Sequence, residues 1–445
     1  MSYKFVNEND TAAFEQFVRA HGGIYMQSEK WIKVKLEWHS RLISGFDENN
    51  NRVLSAIIME RHIPAAGKIW YSPAGPVCDY SNAALLREFT AFMKRELKKE
   101  GATAYIIDPC VELRVNGERN EQGAAVHKCL VENGFKLNTD ASKCLYKSPV
   151  QLILPLKTPQ GEQKTPQQLL KSFEKGVRYS VRAGDNRGLV CRTYTIEDID
   201  KNPKIMQDFL DVMHDTSERS DFVERGGEYC ERLMRVFGPE QMDLMLVYYD
   251  KKKDAQLEAE RLARKEELQK ALETAPEKKQ RGIREEIESI ERQSAHYDER
   301  RRETQELGED EICVSGGITV HYNSVSSCLF GGSKNLLRNN LRSSHYFNFR
   351  RICHSIELEN SFHDLGYVLL SAVPPEADGT LGVCVPNKDF EGICAFKKSF
   401  GSDYIEYIGE YALVGNKALF FSYSHLLEKA RSVQSVVNRV LRGRL

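Results

Sequence analysis

The chain has 445 residues, of which 41% are hydrophobic. This is enough for two or three domains with their own cores, and it excludes a globally disordered protein. The formal net charge is −1, so any nucleic-acid site has to be a local basic patch. The eleven cysteines contain no Cys-x-x-Cys pair, which argues against a zinc ribbon or a disulfide scaffold and favours a reducing compartment.

Neither a secretory signal nor a membrane span is expected. The N-terminal stretch MSYKFVNEND is polar, and no run of about eighteen apolar residues occurs in the chain. We therefore expect a cytoplasmic protein, with the inner face of the cell membrane as a further location.

The first 150 residues alternate predicted helices and strands. Helices are predicted at Phe14–Arg19, Ser28–Trp38, Ala83–Glu100 and Val126–Asn133, and strands at Val53–Glu60, Lys68–Tyr71 and Ala104–Ile107. Ser28 is a suitable N-cap, and Gly101 is a typical C-terminal stop signal. Asp108-Pro109 ends the last strand, so this part is predicted to be an α/β domain.

Residues Gln168 to Arg187 are predicted to form one amphipathic helix. Its basic residues are spaced by four, three and four, which places them on a single face. They are Lys171, Lys175, Arg178 and Arg182. Such a face is either solvated or binds a phosphate backbone, where clustered cations are favourable.

The segment Lys251–Leu307 is dominated by charged residues, Gln and Ala. The break Thr274–Glu277 divides it, because Pro276 cannot continue a helix. After the break, Ile283, Ile287, Ile290 and Tyr297 follow a heptad seam. The pattern predicts an antiparallel coiled-coil arm, which serves either as a spacer or dimerisation arm or as a contact for a large substrate.

The α/β order returns after the arm. Strands are predicted at Gly317–His321, Ser326–Phe330 and Tyr367–Ala372, a helix at Asn340–Glu359, and an extended segment at Glu391–Tyr411. In an extended strand, Lys397 and Lys398 would face opposite sides. The last predicted helix, from His425, carries Arg431, Arg439, Arg442 and Arg444. It packs on the first domain or contacts the membrane surface.

Several segments, in this order along the chain, resemble the Fem-type peptidoglycan bridge aminoacyltransferases. They are Gln27-Ser28-x-x-Trp31-x-x-Val34-Lys35, Tyr71-Ser-Pro-Ala-Gly-Pro-Val77, Ile107-Asp108-Pro109, Lys175-x-x-Arg178 with Arg182-Ala183, Thr216-x-x-Arg219-x-x-Phe222, Leu329-Phe-Gly-Gly-Ser333 and Gly392-x-x-x-Phe396-Lys397-x-x-Phe400-Gly401. Two departures are Ala74, where the family often has Arg, and Tyr367-Val-Leu-Leu-Ser371, where Tyr-Asp-x-x-Gly is typical.

The resemblance implies an α/β fold of two tandem acetyltransferase-like (GNAT) domains with the coiled-coil arm inserted in the second. The expected boundaries are 1–150 for the first domain, completed by 409–445, then 151–408 for the second, with the arm at 248–308. The implied partners are an aminoacyl-tRNA donor and a peptidoglycan precursor, either UDP-MurNAc-pentapeptide or lipid II. No cofactor and no metal site are expected, and the oligomeric state is open.

The resemblance also implies roles for single residues. Lys397 would hold the oxyanion or the terminal phosphate of the tRNA, and Asp108 would steer or deprotonate the acceptor amine, unless it only forms a turn. Substrate-binding roles are implied for Lys35, Arg219, Tyr71 and Phe396, with Lys35 and Arg219 on the diphosphate of the precursor. The basic residues Lys171, Lys175, Arg178 and Arg182 would contact the tRNA.

Two other functions remain open at this stage. An acyl-CoA N-acyltransferase of the same fold class would be expected to show a Gln/Arg-x-x-Gly-x-Gly/Ala loop, and none is found. A non-catalytic tRNA-binding protein built around the arm would bind charged and uncharged tRNA equally. Neither a P-loop nor a His-Glu-x-x-His motif occurs, which argues against a nucleotide hydrolase and a zinc protease.

Overall fold

The computed structural model describes residues 2–144, 147–220 and 224–425. The chain divides into two compact units, each described here by itself. Unit 1 takes the described residues of Met1–Pro155, His321–Val325 and Asp364–Leu445, and unit 2 takes those of Leu156–Val320 and Ser326–His363. The predicted second domain ran to residue 408, whereas 364–408 are grouped with unit 1; the domain boundaries stay a prediction.

Both units mix helices and strands. The helices are α1 (Thr11–Ala20), α2 (Glu29–Val34), α3 (Ala83–Glu100), α4 (Glu121–Glu132), α5 (Pro166–Ser172), α6 (Lys175–Asp185), α7 (Ile196–Lys201), α8 (Lys204–Ser220), α9 (Gly227–Phe237), α10 (Lys251–Thr274), α11 (Glu277–Glu303), α12 (Arg338–Leu341), α13 (Ser343–Glu357) and α14 (Glu391–Lys398). Residues 417–425 are also helical.

The strands are shorter and more numerous. They are β1 (Lys4–Glu8), β2 (His39–Phe46), β3 (Arg52–Ile63), β4 (Gly67–Ser72), β5 (Val77–Cys78), β6 (Ala102–Ile107), β7 (Glu112–Val115), β8 (Glu118–Arg119), β9 (Lys136–Leu137), β10 (Val150–Pro155), β11 (Leu189–Tyr194), β12 (Met242–Asp250), β13 (Glu311–Tyr322), β14 (Val325–Cys328), β15 (Gly332–Ser333), β16 (Phe362–Tyr367), β17 (Asp403–Tyr407) and β18 (Tyr411–Val414).

Unit 1 contains a sheet in the strand order β1-β2-β3-β4-β6-β18-β9. Most neighbours are antiparallel, but β4 and β6 run parallel, because α3 connects them as a crossover helix. α3 begins at the N-cap Asn82 and ends at Gly101, which has the left-handed φ of 65° that a helix-terminating glycine adopts readily. Both ends of this helix agree with the sequence-based prediction.

In unit 2, β11, β12 and β13 form an antiparallel set. Their buried side chains, among them Leu189, Met245 and Val247, share a core with Tyr346 and Phe347 of α13. α6 approaches this helix closely, because Gly184 lies where a Cβ would clash with the ring of Tyr346.

The arm is inserted between β12 and β13, two neighbouring antiparallel strands that a hairpin turn would otherwise connect. These strands pair up to Asp250 and Glu311, and α10 and α11 occupy the sequence between them. Asp250 caps α10 by accepting hydrogen bonds from the backbone N–H groups of Lys252 and Lys253 at 2.9 and 3.0 Å. The predicted helix pair with its break before Glu277 is confirmed, with lengths of about 36 and 40 Å. Ile290 of the predicted seam is buried.

Three predicted elements differ from the structure in type, continuity or position, and the predicted helices at Ser28–Trp38 and Asn340–Glu359 are shorter, as α2 and α13. The helix predicted at 168–187 is two helices, α5 and α6, separated by extended backbone at Phe173 and Glu174. The buried residues Leu169, Phe173, Val177 and Val181 are spaced strictly by four. On one straight helix this spacing drifts by about 40° per step, so the break keeps all four side chains on the core side.

The other two differences lie near the end of the chain. The strand predicted at Tyr367–Ala372 is placed earlier, as β16, and ends at Tyr367. The extended segment predicted at Glu391–Tyr411 begins as the helix α14, and only β17 and β18 are extended. Cys394 is buried and Ile393, Phe396 and Phe400 recur at helical spacing, a periodicity that the aromatic content of the segment obscured.

Two predictions lie outside the described residues. The last predicted helix is described only to His425, so its four arginines are not covered, and Phe222 of the Thr216-x-x-Arg219-x-x-Phe222 motif is not covered either. Among the helices of the described ranges, none is both long and apolar enough to cross a membrane.

Candidate active site

Asp108 lies where two parallel strands of unit 1 end together. Ser72 of β4 pairs with Ile107 of β6, so the residues that follow both strands emerge at the same edge of the sheet. The hydroxyl of Tyr71 donates a hydrogen bond to Oδ2 of Asp108 at 2.8 Å, and the backbone N–H of Ala74 donates to Oδ1 at 2.6 Å. Asp108 therefore holds the turn that follows β4.

Ala74 joins this turn to a third motif of the sequence. Its φ of 53° lies in the left-handed region, which is unfavourable for a residue with a Cβ. Its backbone carbonyl accepts a hydrogen bond from the side chain of Gln27 at 2.8 Å, and Gln27 directly precedes Ser28, the N-cap of α2. The segments that begin at Gln27, Tyr71 and Ile107 thus form one hydrogen-bonded network.

The environment of Asp108 raises the pKa of its carboxyl group toward neutral pH. Burial raises the pKa of Asp108 to about 6, while Lys147 and the hydrogen bonds from Tyr71 and Ala74 act in the opposite direction. Burial dominates because a carboxylate loses its hydration in the interior. A carboxyl group that titrates near pH 6 can exchange a proton under physiological conditions.

Lys147 is a buried cation beside this carboxyl group that the sequence analysis missed. Its ammonium donates a hydrogen bond to Sγ of Cys110 at 3.0 Å and lies 4.7 Å from the centre of the Tyr407 ring. Burial opposes the charge of Lys147, but the acidic groups of Cys110, Asp108 and Asp364 outweigh it and raise the pKa of Lys147. No local pattern marks this lysine, since only folding brings it to Asp108.

Lys397 lies at the C-terminal end of α14, a place where the helix dipole stabilises a cation. Its ammonium donates a hydrogen bond to the backbone carbonyl of Tyr367 at 2.8 Å. Tyr367 follows Gly366, whose N–H donates to Asp364 at 2.8 Å. Asp364 is one of the groups that act on Lys147, so residues 364–367 at the end of β16 link the surroundings of both lysines.

The placement of Lys397 on a helix corrects the prediction that Lys397 and Lys398 face opposite sides of a strand. Neighbours on a helix point about 100° apart. Lys398 instead lies 4.2 Å from the centre of the Tyr404 ring. Phe396 precedes both lysines and contacts Phe400 edge to face, with ring centres 5.3 Å apart.

Lys35 lies at the C-terminal end of α2. Its ammonium is 4.8 Å from the centre of the Trp31 ring, one turn earlier. Both residues belong to the motif that begins at Gln27. Lys35 is therefore close in sequence to Gln27, whose side chain donates to the carbonyl of Ala74.

In unit 2, Arg219 of α8 contacts the glycine-rich motif that ends at Ser333. Its guanidinium donates to the backbone carbonyl of Ser333 at 3.1 Å and to the side-chain oxygen of Asn335 at 2.7 Å. The backbone N–H of Ser333 donates to Oγ1 of Thr216 at 3.0 Å, and Gly332 lies so close to Thr216 that a Cβ would clash. Both of these acceptors of the guanidinium are neutral oxygens.

Partial burial, and then the neighbouring Arg338, lowers the pKa of Arg219. Two cations therefore lie near each other at this corner of unit 2, with Asp215 as a neighbouring carboxylate that favours the charge of Arg219.

The four predicted tRNA-binding residues occupy two helices. Lys171 is in the last turn of α5, and Lys175, Arg178 and Arg182 are on α6. Arg178 closes the end of α5 by donating to the backbone carbonyls of Lys171, at 3.2 Å, and Phe173. The other three side chains are exposed, so Arg178 has a structural contact that the others lack.

Within unit 1 the structure joins Asp108 and Tyr71 directly and places Lys147 beside them. Phe396 and Lys397 lie together on α14 of the same unit, and Lys35 ends α2. Arg219 and the four basic residues belong to unit 2. The roles of all these residues stay predictions.

Known proteins provide an independent comparison. The sequence model of the FemAB family matches residues 10–429. A lipid II:glycine glycyltransferase of Staphylococcus epidermidis is 27% identical over 448 residues, covering 97% of both chains. The enzyme of the same name from Staphylococcus aureus is 26% identical over 441 residues, covering 96% of this chain and 97% of the relative.

A solved structure shows the same fold. The crystal structure of FemX superposes with a TM-score of 0.69 at 24% identity, and the match covers 95% of this chain and 100% of that chain. The predicted α/β architecture with its helical arm is thereby confirmed. Since the family match extends over most of the sequence, the chain belongs to the FemAB family, the peptidoglycan bridge aminoacyltransferases that its motifs resemble.

Proposed function

We propose that this aminoacyltransferase moves an amino acid from an aminoacyl-tRNA to the stem-peptide amine of lipid II, and that the amino acid is glycine. The supporting observation is the similarity over 97% of both chains to a protein named lipid II:glycine glycyltransferase. A lipid-linked acceptor also places the proposed site of action at the inner face of the cell membrane. UDP-MurNAc-pentapeptide is the competing acceptor.

The proposed reaction needs no covalent enzyme intermediate, because the aminoacyl ester is already activated. The acceptor nitrogen forms a bond to the ester carbonyl carbon and loses a proton. The bond from that carbon to the ribose oxygen breaks, and the ribose hydroxyl that leaves takes up a proton. Negative charge develops on the carbonyl oxygen between these steps, and a fixed cation stabilises it.

Lys397 is the proposed cation. Its hydrogen bond to the carbonyl of Tyr367 fixes the position of the ammonium before the reaction, and the end of α14 favours its charge. Preorganisation of this kind matters because a charge that must first reorient contributes less to catalysis. Phe396, which precedes Lys397 on α14, is a proposed substrate contact.

Asp108 is the proposed group for steering or deprotonating the acceptor amine. Both of its oxygens already accept hydrogen bonds, from Tyr71 and from Ala74, and only 6% of the residue is exposed. Its effect on the amine would therefore pass through the hydroxyl of Tyr71, which is itself a proposed substrate contact. Lys147 would tune this pair, since its charge favours ionised Asp108.

Phosphate-binding roles are proposed for Lys35 and for Arg219, each toward the diphosphate of the precursor. A guanidinium recognises phosphate by paired hydrogen bonds, and Arg219 has Arg338 as a second cation nearby. Lys171, Lys175, Arg178 and Arg182 are the proposed contacts of the tRNA backbone.

A transfer assay with two variables tests this function. Glycyl-, seryl- and alanyl-tRNA, each with a radiolabelled amino acid, are offered separately to lipid II and to UDP-MurNAc-pentapeptide, and the product mass is followed. We expect label in lipid II from glycyl-tRNA, with the mass of one glycyl residue added. Transfer to the UDP-linked precursor alone would replace lipid II as the proposed acceptor. Transfer from seryl- or alanyl-tRNA alone would replace glycine as the proposed amino acid. No transfer with any pair would overturn it.

A further inference from the structure

The root of the arm encloses a cavity of about 360 Å³ within unit 2. Its walls come from α6, α10 and α11. Six of the lining side chains are basic: Arg182, Arg187, Arg261, Arg292, His296 and Arg300. Among the described residues no carboxylate lines it, although the arm is rich in Asp and Glu.

The floor of the cavity is electrically balanced. Arg300 is buried, and it makes a two-pronged contact with Asp254 at 2.7 and 2.9 Å. Arg261 donates to Glu258 at 2.8 Å and lies 3.7 Å from Asp254. Two guanidinium groups thus face two carboxylates that lie beneath the cavity surface, and this part of the cluster joins α10 to α11 at the root of the arm.

The walls carry the excess positive charge. Arg187 bonds to neutral oxygens, the backbone carbonyl of Asn340 and the hydroxyl of Tyr179. The carboxylate recorded near Arg292 is that of Glu288, at 4.0 Å. Arg182 is exposed on α6, and the structure records no carboxylate contact for it among the described residues. Among the described residues, Arg182 and Arg187 therefore converge without a matching carboxylate, and Arg292 adds a third cation whose carboxylate partner is 4.0 Å away.

This convergence is unfavourable unless an anion enters. Burial lowers the pKa of Arg187, and the like charges of Arg300 and Arg342 act in the same direction, whereas Tyr179 opposes them. Arginine does not lose its proton in proteins, so the repulsion stays in the structure. A phosphate group would relieve it, because guanidinium groups bind phosphate through two parallel hydrogen bonds.

We propose that this cavity is a phosphate site, and that its ligand is the phosphodiester backbone of an RNA bound at the root of the arm. The RNA as source follows from the proposed function, in which a charged tRNA is the donor. Arg182 and Arg292 are exposed, so a polymer can contact both from the surface, and the volume lies at the lower end of typical ligand sites. Arg182 and Arg292 make the outer contacts, and Arg187 the inner one.

Binding of an uncharged tRNA tests the site without any need for transfer. The full-length protein and its Arg182→Gln and Arg292→Gln variants are titrated with one fluorescently labelled, uncharged glycine tRNA at several salt concentrations. Each variant is expected to lower the affinity by about tenfold, the loss of one charge-assisted contact. The slope of log affinity against log salt should fall by about 1. Both side chains are exposed, so the melting temperature should not change.

Arg235→Gln is the matched control. Arg235 lies on α9 of the same unit, is half-exposed and pairs with Asp200, so the variant removes one positive charge away from the cavity. Losses in tRNA affinity that are equal for this control and the two cavity variants would overturn the proposal, as would no loss in any of them.

A second titration, with inorganic pyrophosphate, distinguishes an RNA ligand from a free phosphate compound. Pyrophosphate should compete weakly with tRNA in the wild-type protein. If the cavity variants lose pyrophosphate binding but keep tRNA binding, the RNA assignment is overturned. A protein that binds tRNA through the cavity but transfers nothing would contradict the proposed function and leave the site standing.

Discussion

Two adjacent lysines on α14 offer a matched pair of substitutions at the residue scale. Lys397 donates to a backbone carbonyl, whereas Lys398 lies over the Tyr404 ring. If Lys397 stabilises charge that develops only in the transition state, Lys397→Met should lower kcat by about a hundredfold to a thousandfold and leave the KM for lipid II nearly unchanged.

Lys398→Met removes the same charge one residue away. It should lower the melting temperature slightly, through loss of a cation–π contact of about 0.5–1 kcal/mol, and leave kcat nearly unchanged. Steady-state kinetics of both variants decide the matter. Equal kcat defects would assign the effect to the stability of α14 rather than to the reaction.

Asp108 gives a prediction about pH. Its pKa is raised from 3.8 to about 6 in the folded protein, so the folded state binds the proton more tightly than the unfolded state. The resulting stability is present below about pH 4 and is lost as pH rises through 6. Asp108→Asn cannot ionise, so its stability relative to wild type should improve on the order of 2–3 kcal/mol between pH 4 and pH 7.

Melting temperatures of wild type and Asp108→Asn across this range provide the measurement, and a constant difference would contradict the prediction. The pH profile of kcat/KM tests the proposed role of Asp108 in the reaction. If Asp108 influences the amine through Tyr71, the wild-type profile has an inflection near pH 6 that both Asp108→Asn and Tyr71→Phe lack. If Asp108 only holds the turn at Ala74, Tyr71→Phe keeps the inflection.

The sequence indicated Asp108 and Tyr71 through the motifs that resemble the Fem-type family, and each lies at or next to the end of a predicted strand. It could not indicate Lys147. The contacts of this lysine come from residues 37 and 260 positions away, Cys110 and Tyr407, and no local periodicity encodes contacts of that range.

At the scale of elements, the buried pair of Arg300 and Asp254 joins α11 to α10 at the root of the arm. Arg300→Gln leaves buried Asp254 with only the more distant Arg261, 3.7 Å away, as a cationic partner, and removal of one member of a buried pair typically costs about 3–5 kcal/mol. We expect faster hydrogen exchange in the first turns of α10 and the last turns of α11, with a lower melting temperature.

The double variant Asp254→Asn/Arg300→Gln removes both charges and is the control. It should recover much of the stability, because no uncompensated charge stays buried. A double variant that is as unstable as the sum of the single variants would show that the hydrogen bonds to Tyr249 and Asn340, and not the charge pair, hold the arm.

The elements that local signals define were predictable, and those that depend on packing were not. α3 has a capping asparagine and a terminal glycine, and the arm has a heptad seam and a proline break, so their bounds followed from the sequence. The break between α5 and α6 depends on which side chains of residues 168–187 face the core. α14 was mistaken for a strand because Phe396 and Phe400 were counted as β-favouring residues rather than as helical neighbours at i and i+4.

At the scale of the whole molecule, the arm was recognisable as an insertion. Residues 364–408 are grouped with unit 1, whereas the predicted second domain runs to residue 408, and the domain boundaries stay a prediction. The ladder between β17 and β7, in which Glu406 pairs with Arg114, joins segments almost 300 residues apart. Pairings of that range have no sequence signature in a single chain.

The arm also provides the largest test of the proposed function. Deletion of Lys251–Leu307 leaves Gly308, Glu309 and Asp310 to connect two strands that already pair at Asp250 and Glu311, so both units should fold. The deletion removes the arm and the arm's side of the arginine-lined cavity. We expect a raised KM for full-length glycyl-tRNA and a smaller effect on a donor reduced to the acceptor stem.

A shorter deletion separates the root of the arm from its length. Arg264 pairs with Glu286 across the two helices at 3.0 Å, so residues 266–285 can be replaced by a Gly/Ser turn that leaves the cavity in place. If the root binds the RNA, this variant should keep most of the affinity for tRNA that the full deletion loses. Equal losses in both would place the contact on the outer part of the arm, and unchanged kinetics in both would remove the arm from donor recognition.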